Sequence, residues 1–110
     1  MVKQGTIIKI NFNPQSGHEQ AGYRPAVVIS NDVFNEKTKL SIVCPITNTD
    51  KHFPLHIPLD ERTKTTGVIL CEHIKSLDLN SRTFQEVEKL PGDLLEKVIN
   101  IIFAEIEEIK

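Results

Sequence analysis

Residues suited to acid–base chemistry lie next to apolar, strand-like runs in this sequence. Glu19, Gln20 and Arg24 come just before one such run, Thr47 ends another, and His73 follows a third. A guanidinium can bind two phosphate oxygens at once, and a hydroxyl adds a further donor. Attack of a ribose 2′-hydroxyl on its own phosphodiester needs a base, an acid and cationic donors. The residue types therefore predict metal-independent cleavage of RNA.

The segment before Arg24 is predicted to turn its polar side chains toward one point. Gly17 and Gly22 permit tight backbone turns, and Pro25 biases Arg24 toward an extended conformation at the start of a strand. From spacing alone, a structural ion pair between Glu19 and Arg24 is as well supported as a catalytic role for the two residues. Thr47 and His73 likewise have structural interpretations, as a strand-end hydrogen bonder and a partly buried strand histidine.

Other kinds of site are disfavoured by the sequence. Cys44 and Cys71 lie in apolar runs without close spacing, which predicts that both are buried and reduced. A zinc site would have to recruit the histidines His52, His56 and His73. The first two are four residues apart, but Pro54 between them excludes a shared helical face. The sequence contains no glycine-rich phosphate loop, so we predict neither a metal nor a cofactor.

Composition predicts one cytoplasmic domain spanning residues 1–110. The chain is 39% hydrophobic and 25% charged, as in ordinary globular proteins, and its apolar runs are too short to cross a bilayer. The N-terminus lacks the apolar core of a signal peptide. Net charge is −2 overall, but residues 1–84 carry +2 and residues 85–110 carry −4. This asymmetry suits a polyanion bound by the first part, although a solvated helix face explains the acidic tail equally well.

Apolar patterning predicts many short strands followed by one long helix. Strands are expected at 6–12, 26–30, 39–47, 55–59, 67–71, 74–77 and 83–90, with a helical turn at 31–35. The last strand has a charged face, which indicates a sheet edge. From Pro91 onward, apolar residues recur at helical spacing in a wide stripe that predicts packing on the sheet and contact with a partner subunit. We therefore expect a mainly β chain with a C-terminal α-helix, in a small antiparallel barrel-like sheet.

Four blocks of this sequence resemble the MazF/PemK/Kid family of toxin endoribonucleases. They are Gly-Thr-Ile-Ile at 5–8 with Asn-Phe-Asn-Pro at 11–14, Gly-His-Glu-Gln-Ala-Gly-Tyr-Arg-Pro-Ala-Val-Val-Ile-Ser at 17–30, Pro-Ile-Thr at 45–47, and Gly-Val-Ile-Leu at 67–70 with Ile-Lys-Ser-Leu-Asp at 74–78. The block at 17–30 is specific in order and spacing. The resemblance covers nearly the whole length of the chain.

The resemblance implies an SH3-like antiparallel barrel of the MazF/CcdB toxin type and a homodimer. It also implies sequence-preferring cleavage of single-stranded mRNA that leaves a 2′,3′-cyclic phosphate or 3′-phosphate and a 5′-hydroxyl. The implied partner is a MazE-like antitoxin whose flexible tail fills the RNA groove. The implied catalytic residues are Arg24, Thr47 and Glu19. The implied RNA-binding residues are Asn13, Ser16, Gly17, His18, Gln20 and His73.

Two positions depart from the family pattern. His18 stands where many members have Ser, so an imidazole lies beside the expected phosphate site. His73 stands where many have Gln, which leaves the preferred cleavage sequence open. Because a guanidinium keeps its proton, Glu19 or His18 is expected to transfer the proton while Arg24 stabilises charge.

Two rival functions have their own sequence signals. CcdB-like toxins share a similar fold but bind DNA gyrase through a C-terminal Trp-Gly-Ile, whereas this chain ends Glu-Glu-Ile-Lys and has no Trp. The other rival is a binding module that keeps the shape without the activity. The presence of Glu19, Arg24 and Thr47 argues against it.

Overall fold

The computed structural model describes residues 1–12, 22–50 and 52–110. In chain order its elements are β1 (Thr6–Asn11), β2 (Tyr23–Val28), α1 (Asp32–Thr38), β3 (Ser41–Thr47), β4 (His56–Pro58), β5 (Val68–Leu70), β6 (Lys75–Leu77), β7 (Phe84–Lys89) and α2 (Gly92–Ile106). Short 3₁₀ turns at Cys71–His73 and Leu79–Ser81 flank β6. This order confirms the mainly β chain with a C-terminal helix.

All the described strands join one antiparallel sheet. Its order is β4-β5-β3-β2-β1-β7, and β6 also pairs with β3. The two halves of β3 have different neighbours, since Ile46 and Thr47 face β5 whereas residues 41–43 face β6. β7 lies at an edge, as its charged face predicts. Because β4 and β7 are the outer strands of this path, the barrel-like sheet is not closed.

The central strands are covered on both faces. Successive side chains of a strand point to opposite sides of the sheet. Ile7 and Val27 accordingly pack in one apolar cluster, which includes residues of α2, whereas Ile8 and Ala26 pack in a second cluster that Phe84 of β7 helps to cover. Two cores therefore hold β1, β2 and β3 in place, and these strands provide a rigid platform for the groups at their ends.

The helix α1 is longer than the predicted turn at 31–35, and this shortens the strand that follows. Asn31 caps the helix by accepting a hydrogen bond from the Phe34 N–H at 2.8 Å. The helix then continues to Thr38, and Lys39 ends it in the left-handed conformation with φ 62°. A strand cannot include a residue in that conformation, so β3 begins at Ser41 rather than at the predicted position 39.

The helix α2 packs on the sheet, as predicted, but buries only part of its apolar stripe. Leu94 and Val98 are buried among residues of the sheet. Ile99, Phe103 and Ile106 are 39%, 62% and 77% exposed. An apolar strip therefore continues along the outer side of α2. No helix among the described residues is long and apolar enough to span a membrane.

Candidate active site

The candidate site lies where β2 begins and β3 ends. The two strands are antiparallel neighbours, with Ala26 opposite Pro45. Arg24 lies near the beginning of β2 and Thr47 at the end of β3, each two residues beyond that pair. The beginning of one strand lies beside the end of its antiparallel neighbour. The fold therefore places at one end of these strands two residues that lie 23 positions apart in the sequence.

Arg24 is partly buried and belongs to a central strand. On the side away from β3, it pairs with Ile10 of β1, which is fully buried. This pairing restrains the backbone from which the guanidinium extends. A functional side chain on such an element is held more precisely than one on a loop.

Thr47 is 7% exposed and is the last residue of β3. Its hydroxyl oxygen accepts a hydrogen bond from the Thr49 N–H at 3.2 Å, which leaves the hydroxyl proton available for donation. On its other side Thr47 pairs with Val68 of β5. The preceding residue, Gly67, has φ +115°, and a Cβ there would lie 2.3 Å from the Thr47 carbonyl oxygen. Glycine alone permits this close approach.

The two side chains supply donors suited to an anion. A guanidinium presents a fork of N–H groups to phosphate oxygens, and a hydroxyl adds another donor. Neither group is a good proton acceptor, because a guanidinium keeps its charge and a hydroxyl is a weak base. Proton transfer at this site therefore needs a further residue.

Six of the predicted site residues lie outside the described residues: Asn13, Ser16, Gly17, His18, Glu19 and Gln20. The chain on either side of them is described. The Phe12 N–H donates to the Gly22 carbonyl oxygen at 2.9 Å, and Asn11 pairs with Tyr23. The two residues that flank the segment 13–21, Phe12 and Gly22, are thus hydrogen-bonded to each other two residues before Arg24.

His73 is not brought beside Thr47 by the strand pairing. It ends the 3₁₀ turn Cys71–His73, between β5 and β6, rather than lying in a strand. β5 pairs with the end of β3 and β6 with its beginning, so this turn lies alongside the middle of β3. The His73 side chain is 23% exposed, and its Nε2 lies 3.9 Å from Glu72 Oε2.

His56 forms a polar contact that sequence reasoning missed. Its side chain is 7% exposed, with Nδ1 3.2 Å from Asp50 Oδ1 and Nε2 2.8 Å from Glu72 Oε2. Burial acts to lower the pKa of His56, but hydrogen bonds to Glu72 and Asp50 outweigh it and raise the pKa above the usual 6.5. Both ring nitrogens are thus engaged by carboxylates, as in an imidazolium. We call these three residues the His56 clip.

The His56 clip has no local sequence signal. Asp50 and Glu72 come near His56 only because β4 and β5 form an antiparallel pair with His56 opposite Leu70. Sequence reasoning considered His56 only as a zinc ligand, a role that two carboxylate contacts disfavour. Among the residues that the structure describes, no group of three or more His, Cys, Asp or Glu is arranged to hold a metal ion.

The two thiols are buried, which confirms the prediction for them. Cys44 and Cys71 are both free and fully covered. Burial raises the pKa of Cys71 to about 12 and raises that of Cys44 as well. Because the thiolate is the reactive form, neither residue is suited to nucleophilic catalysis.

Sequence comparisons relate nearly the whole chain to one group of proteins. The family described as PemK-like, MazF-like toxin of type II toxin–antitoxin systems matches residues 3–104. The endoribonuclease toxin MazF of Escherichia coli K12 is 37% identical over 78 residues, covering 71% of this chain and 69% of that protein. The endoribonuclease toxin ChpB of the same strain is 31% identical over 110 residues, covering 96% and 94%.

Solved structures agree with this relationship. MazF from Deinococcus radiodurans superposes with a TM-score of 0.89 at 35% identity, covering 96% of each chain. A MazE–MazF complex from the same organism gives a TM-score of 0.83 at 32% identity, covering 96% of this chain and 95% of that one. The similarity thus includes the barrel-like sheet together with the C-terminal helix.

Proposed function

Because the chain belongs to the PemK-like, MazF-like toxins of type II toxin–antitoxin systems, we propose that it is an endoribonuclease toxin that cleaves single-stranded mRNA. The family match over residues 3–104 is the observation that carries this proposal. Its relatives named endoribonuclease include MazF, ChpB and PemK of Escherichia coli. The match covers almost all of residues 1–110, which supports a single toxin domain.

In the proposed reaction, the ribose 2′-hydroxyl attacks the adjacent phosphorus while Glu19 or His18 removes its proton. Arg24 and the Thr47 hydroxyl donate hydrogen bonds to the phosphorane oxygens and stabilise their charge. The bond to the 5′-oxygen then breaks, and that oxygen takes up a proton. The products are a 2′,3′-cyclic phosphate and a 5′-hydroxyl. The positions of Arg24 near the beginning of β2 and of Thr47 at the end of the neighbouring β3 support their joint role, and no step requires a metal ion.

The remaining predicted site residues are assigned to RNA binding. Polar groups of the segment 13–21 would contact the nucleotides on either side of the cleaved bond: Asn13, Ser16, Gly17, His18 and Gln20. His73 is assigned to a base farther from that bond, since its 3₁₀ turn lies along the middle of β3. With one Tyr, five Phe and no Trp, recognition must depend more on hydrogen bonds than on stacking.

The proposed assembly is a homodimer that a MazE-like antitoxin inhibits. MazF of Deinococcus radiodurans has been crystallised in complex with MazE. By analogy, a flexible antitoxin tail would occupy the groove in which RNA binds here. The exposed apolar strip on α2 is consistent with a second subunit. Because the proposed substrate is mRNA, we place the activity in the cytoplasm.

The test is cleavage of a long single-stranded RNA in EDTA by the wild type, Arg24→Ala and Arg24→Lys. We expect wild-type cleavage without metal and a fall of about 10²- to 10³-fold in Arg24→Ala. Arg24→Lys should recover little of the rate, because an ammonium cannot form the two-pronged contact. Circular dichroism and thermal melting of each variant confirm equal folding.

A substrate with a 2′-deoxy sugar at the cleavage position provides the chemical control. It lacks the proposed nucleophile, so it should bind without being cut. Normal cutting of this substrate would contradict the mechanism, and an unchanged rate in Arg24→Ala would contradict the site. A wild type that cuts no RNA would revive the gyrase-binding alternative, which the endoribonuclease relatives do not favour.

A further inference from the structure

One cavity of the protein lies at the beginning of β3, away from the candidate active site. Its volume is about 200 Å³, and its wall includes Val2, Ser41, Leu79 and Phe84. Ser41 is the first residue of β3 and Thr47 the last, which puts them about 20 Å apart in an extended strand. A ligand in this cavity would therefore leave the candidate active site uncovered.

Ser41 contributes a buried hydroxyl that has no hydrogen-bond partner. The residue is 1% exposed, and its Oγ is the only buried side-chain polar atom without a partner among the residues that the structure describes. Ser41 pairs with Leu77 of β6, so the two side chains point to the same face of the sheet. Leu77 belongs to the second apolar cluster, as do Val2 and Leu79 of the cavity wall. The hydroxyl therefore lies on the cavity side and is available to a ligand.

The size of the cavity favours a small organic molecule. A single buried water needs only about 10–15 Å³, so the space is much larger than a water bound to the Ser41 hydroxyl would require. Sites for drug-sized ligands begin at about 300 Å³, which is larger than this cavity. Val2, Leu79 and Phe84 give the wall an apolar part on which an aliphatic group can pack.

Lys39 and Glu86 add opposite charges to the wall. Both residues are exposed. Glu86 of β7 lies opposite Ile8, a member of the second apolar cluster, so its carboxylate also points to the cavity side. Within the described part of the chain, Lys39 and Glu86 form no ion pair with each other or with a third residue. A ligand with both charges would satisfy both side chains.

The backbone that carries these polar groups is held in place. The Lys39 N–H donates to the Asn35 carbonyl oxygen at 3.0 Å. Asn80, whose amide also lines the cavity, has its backbone N–H bound to Asp78 Oδ1 at 3.0 Å. Groups positioned before the ligand arrives lower the entropy cost of binding.

We propose that this cavity binds a free α-amino acid with an aliphatic side chain, such as leucine. The carboxylate of the ligand pairs with Lys39 and accepts a hydrogen bond from the Ser41 hydroxyl, while its ammonium pairs with Glu86. The aliphatic side chain packs on the apolar part of the wall. A fatty acid or an amine has only one of the two charges, and a residue within a peptide has neither. This site does not depend on the proposed endoribonuclease function.

The first experiment is calorimetric titration of the protein with L-leucine. For a ligand of this size we expect a dissociation constant of about 0.1 mM. Three analogues each lack one recognised group: 4-methylpentanoate lacks the ammonium, 3-methylbutylamine lacks the carboxylate, and glycine lacks the aliphatic side chain. Each should bind about tenfold more weakly or worse, because a charged contact or the apolar contact is lost.

The second experiment repeats the L-leucine titration with variants of the wall. Lys39→Gln and Glu86→Gln should each weaken binding about tenfold or more, and Ser41→Ala about 3- to 10-fold. Without ligand, Ser41→Ala should melt at or above the wild-type temperature, because it removes an unsatisfied buried hydroxyl. A structural role for Ser41 would instead lower the melting temperature. Lys37→Gln and Glu108→Gln are the charge-matched controls.

The location of the site is checked by amide NMR spectra of the protein during the titration. The largest shifts should occur at the residues of the cavity wall, and Lys37→Gln and Glu108→Gln should leave the affinity unchanged. No saturable binding of L-leucine up to about 10 mM would overturn the proposal and leave the cavity to water alone. Equally tight binding of 4-methylpentanoate or 3-methylbutylamine would overturn the amino acid as ligand. Shifts clustered on another surface, or equal losses in the control variants, would overturn the site.

Discussion

His56 shows how one side chain can join segments that are distant in the sequence. Asp50 lies in the turn that follows Thr47, and Glu72 lies in the 3₁₀ turn that contains His73. The His56 clip thus connects the segment that follows Thr47 to the 3₁₀ turn between β5 and β6. Its strength depends on charge, because the imidazolium donates to two carboxylates at once.

The pH range of this stabilisation follows from the directions of the pKa shifts. The folded pKa of His56 is raised, so its contribution is fully present below about pH 6.5 and is lost as the pH rises through the folded pKa. The pKa of Asp50 is lowered from 3.8, first by the His52 N–H and then by His56, so its contribution is lost as the pH falls through the folded value. The clip is strongest between these limits.

We predict that His56→Gln destabilises the protein in a pH-dependent manner. At pH 6 the variant should lose about 1–2 kcal/mol of unfolding free energy, because charged hydrogen bonds are replaced. At pH 9 the difference should be smaller, because the wild-type imidazole is then neutral. Urea unfolding of both proteins at the two pH values measures this. His52→Gln is the control for an exposed contact with the same carboxylate, since His52 is 92% exposed and its Nδ1 lies 3.8 Å from Asp50 Oδ2. A pH-independent difference for His56→Gln would contradict the assignment.

Chemical roles of single residues were more predictable from sequence than contacts between them. The residue types and the family resemblance singled out Arg24 and Thr47, which lie near the beginning of β2 and at the end of its neighbour β3. The burial of Cys44 and Cys71 also followed from their apolar neighbours. The His56 clip could not be found, because its partners lie 6 and 16 residues away and meet only through the pairing of β4 with β5.

At the level of elements, the contact between β3 and β5 fixes the end of β3 where Thr47 lies. Gly67 approaches the Thr47 carbonyl so closely that no side chain fits, and its φ of +115° is unfavourable for any other residue. The position of Thr47 therefore depends on the backbone of a neighbouring strand as well as on its own.

We predict that Gly67→Ala lowers both stability and activity. The new methyl group would force β5 away from β3, at a cost of about 2 kcal/mol or more in unfolding free energy. Thr47 would shift with β3, and the cleavage rate should fall about tenfold or more, since a displacement of about 1 Å can cost 10²-fold. Thermal melting and RNA cleavage of the purified variant measure the two effects.

Gly92→Ala is the matched control for that substitution. Gly92 begins α2, and a Cβ there would meet nothing within 4 Å. Alanine favours the helix, so this variant should be as stable as the wild type or slightly more stable. Equal stability of Gly67→Ala and Gly92→Ala would show that the backbone contact is unimportant.

The order of the elements was largely predictable, but several boundaries were not. Alternating and apolar runs indicated the strands, and the charged face of β7 indicated its edge position. The beginning of β3 was wrong by two residues because Lys39 adopts the left-handed conformation, which glycine or asparagine more commonly signals. The 3₁₀ turn at Cys71–His73 was also missed, because the apolar run continues through Cys71.

The whole molecule leaves an apolar strip of α2 uncovered. Ile99, Phe103 and Ile106 are all substantially exposed. An open cavity of about 360 Å³ lies between this part of α2 and the sheet, where Ile42 of β3 and Ile74, just before β6, form part of its wall. Exposed apolar surface of this kind is common at subunit interfaces. One part of the wide apolar stripe predicted from sequence thus packs in the core, and the exposed part is available for the proposed dimer interface.

We predict that Phe103→Glu with Ile106→Glu converts the proposed dimer into a monomer. In a two-fold interface each substitution acts twice, and each buried apolar side chain is worth about 1.5–3 kcal/mol. The dissociation constant should therefore rise about 10²-fold or more. Sedimentation equilibrium measures it, with Ile109→Glu as a control beyond the end of α2. A dimer of unchanged affinity would place the interface on another face.

The fold class was predictable because the periodicity of the chain changes once, from strands to a helix. The packing on the two faces of the sheet was not predictable, since sequence patterns do not show which apolar surfaces contact each other. Alternation along β1 separates Ile7 from Ile8, but the residues of α2 and of β7 that pack beside them were not predictable from sequence.

The burial of both native thiols makes the molecule convenient for spectroscopy. Maleimide dyes and spin labels react with solvent-accessible thiolates, and Cys44 and Cys71 are neither accessible nor readily ionised. A cysteine introduced on the outer surface would accordingly carry the probe alone, without removal of either natural one. The distance between two such probes, one on each subunit, could then measure the proposed dimer.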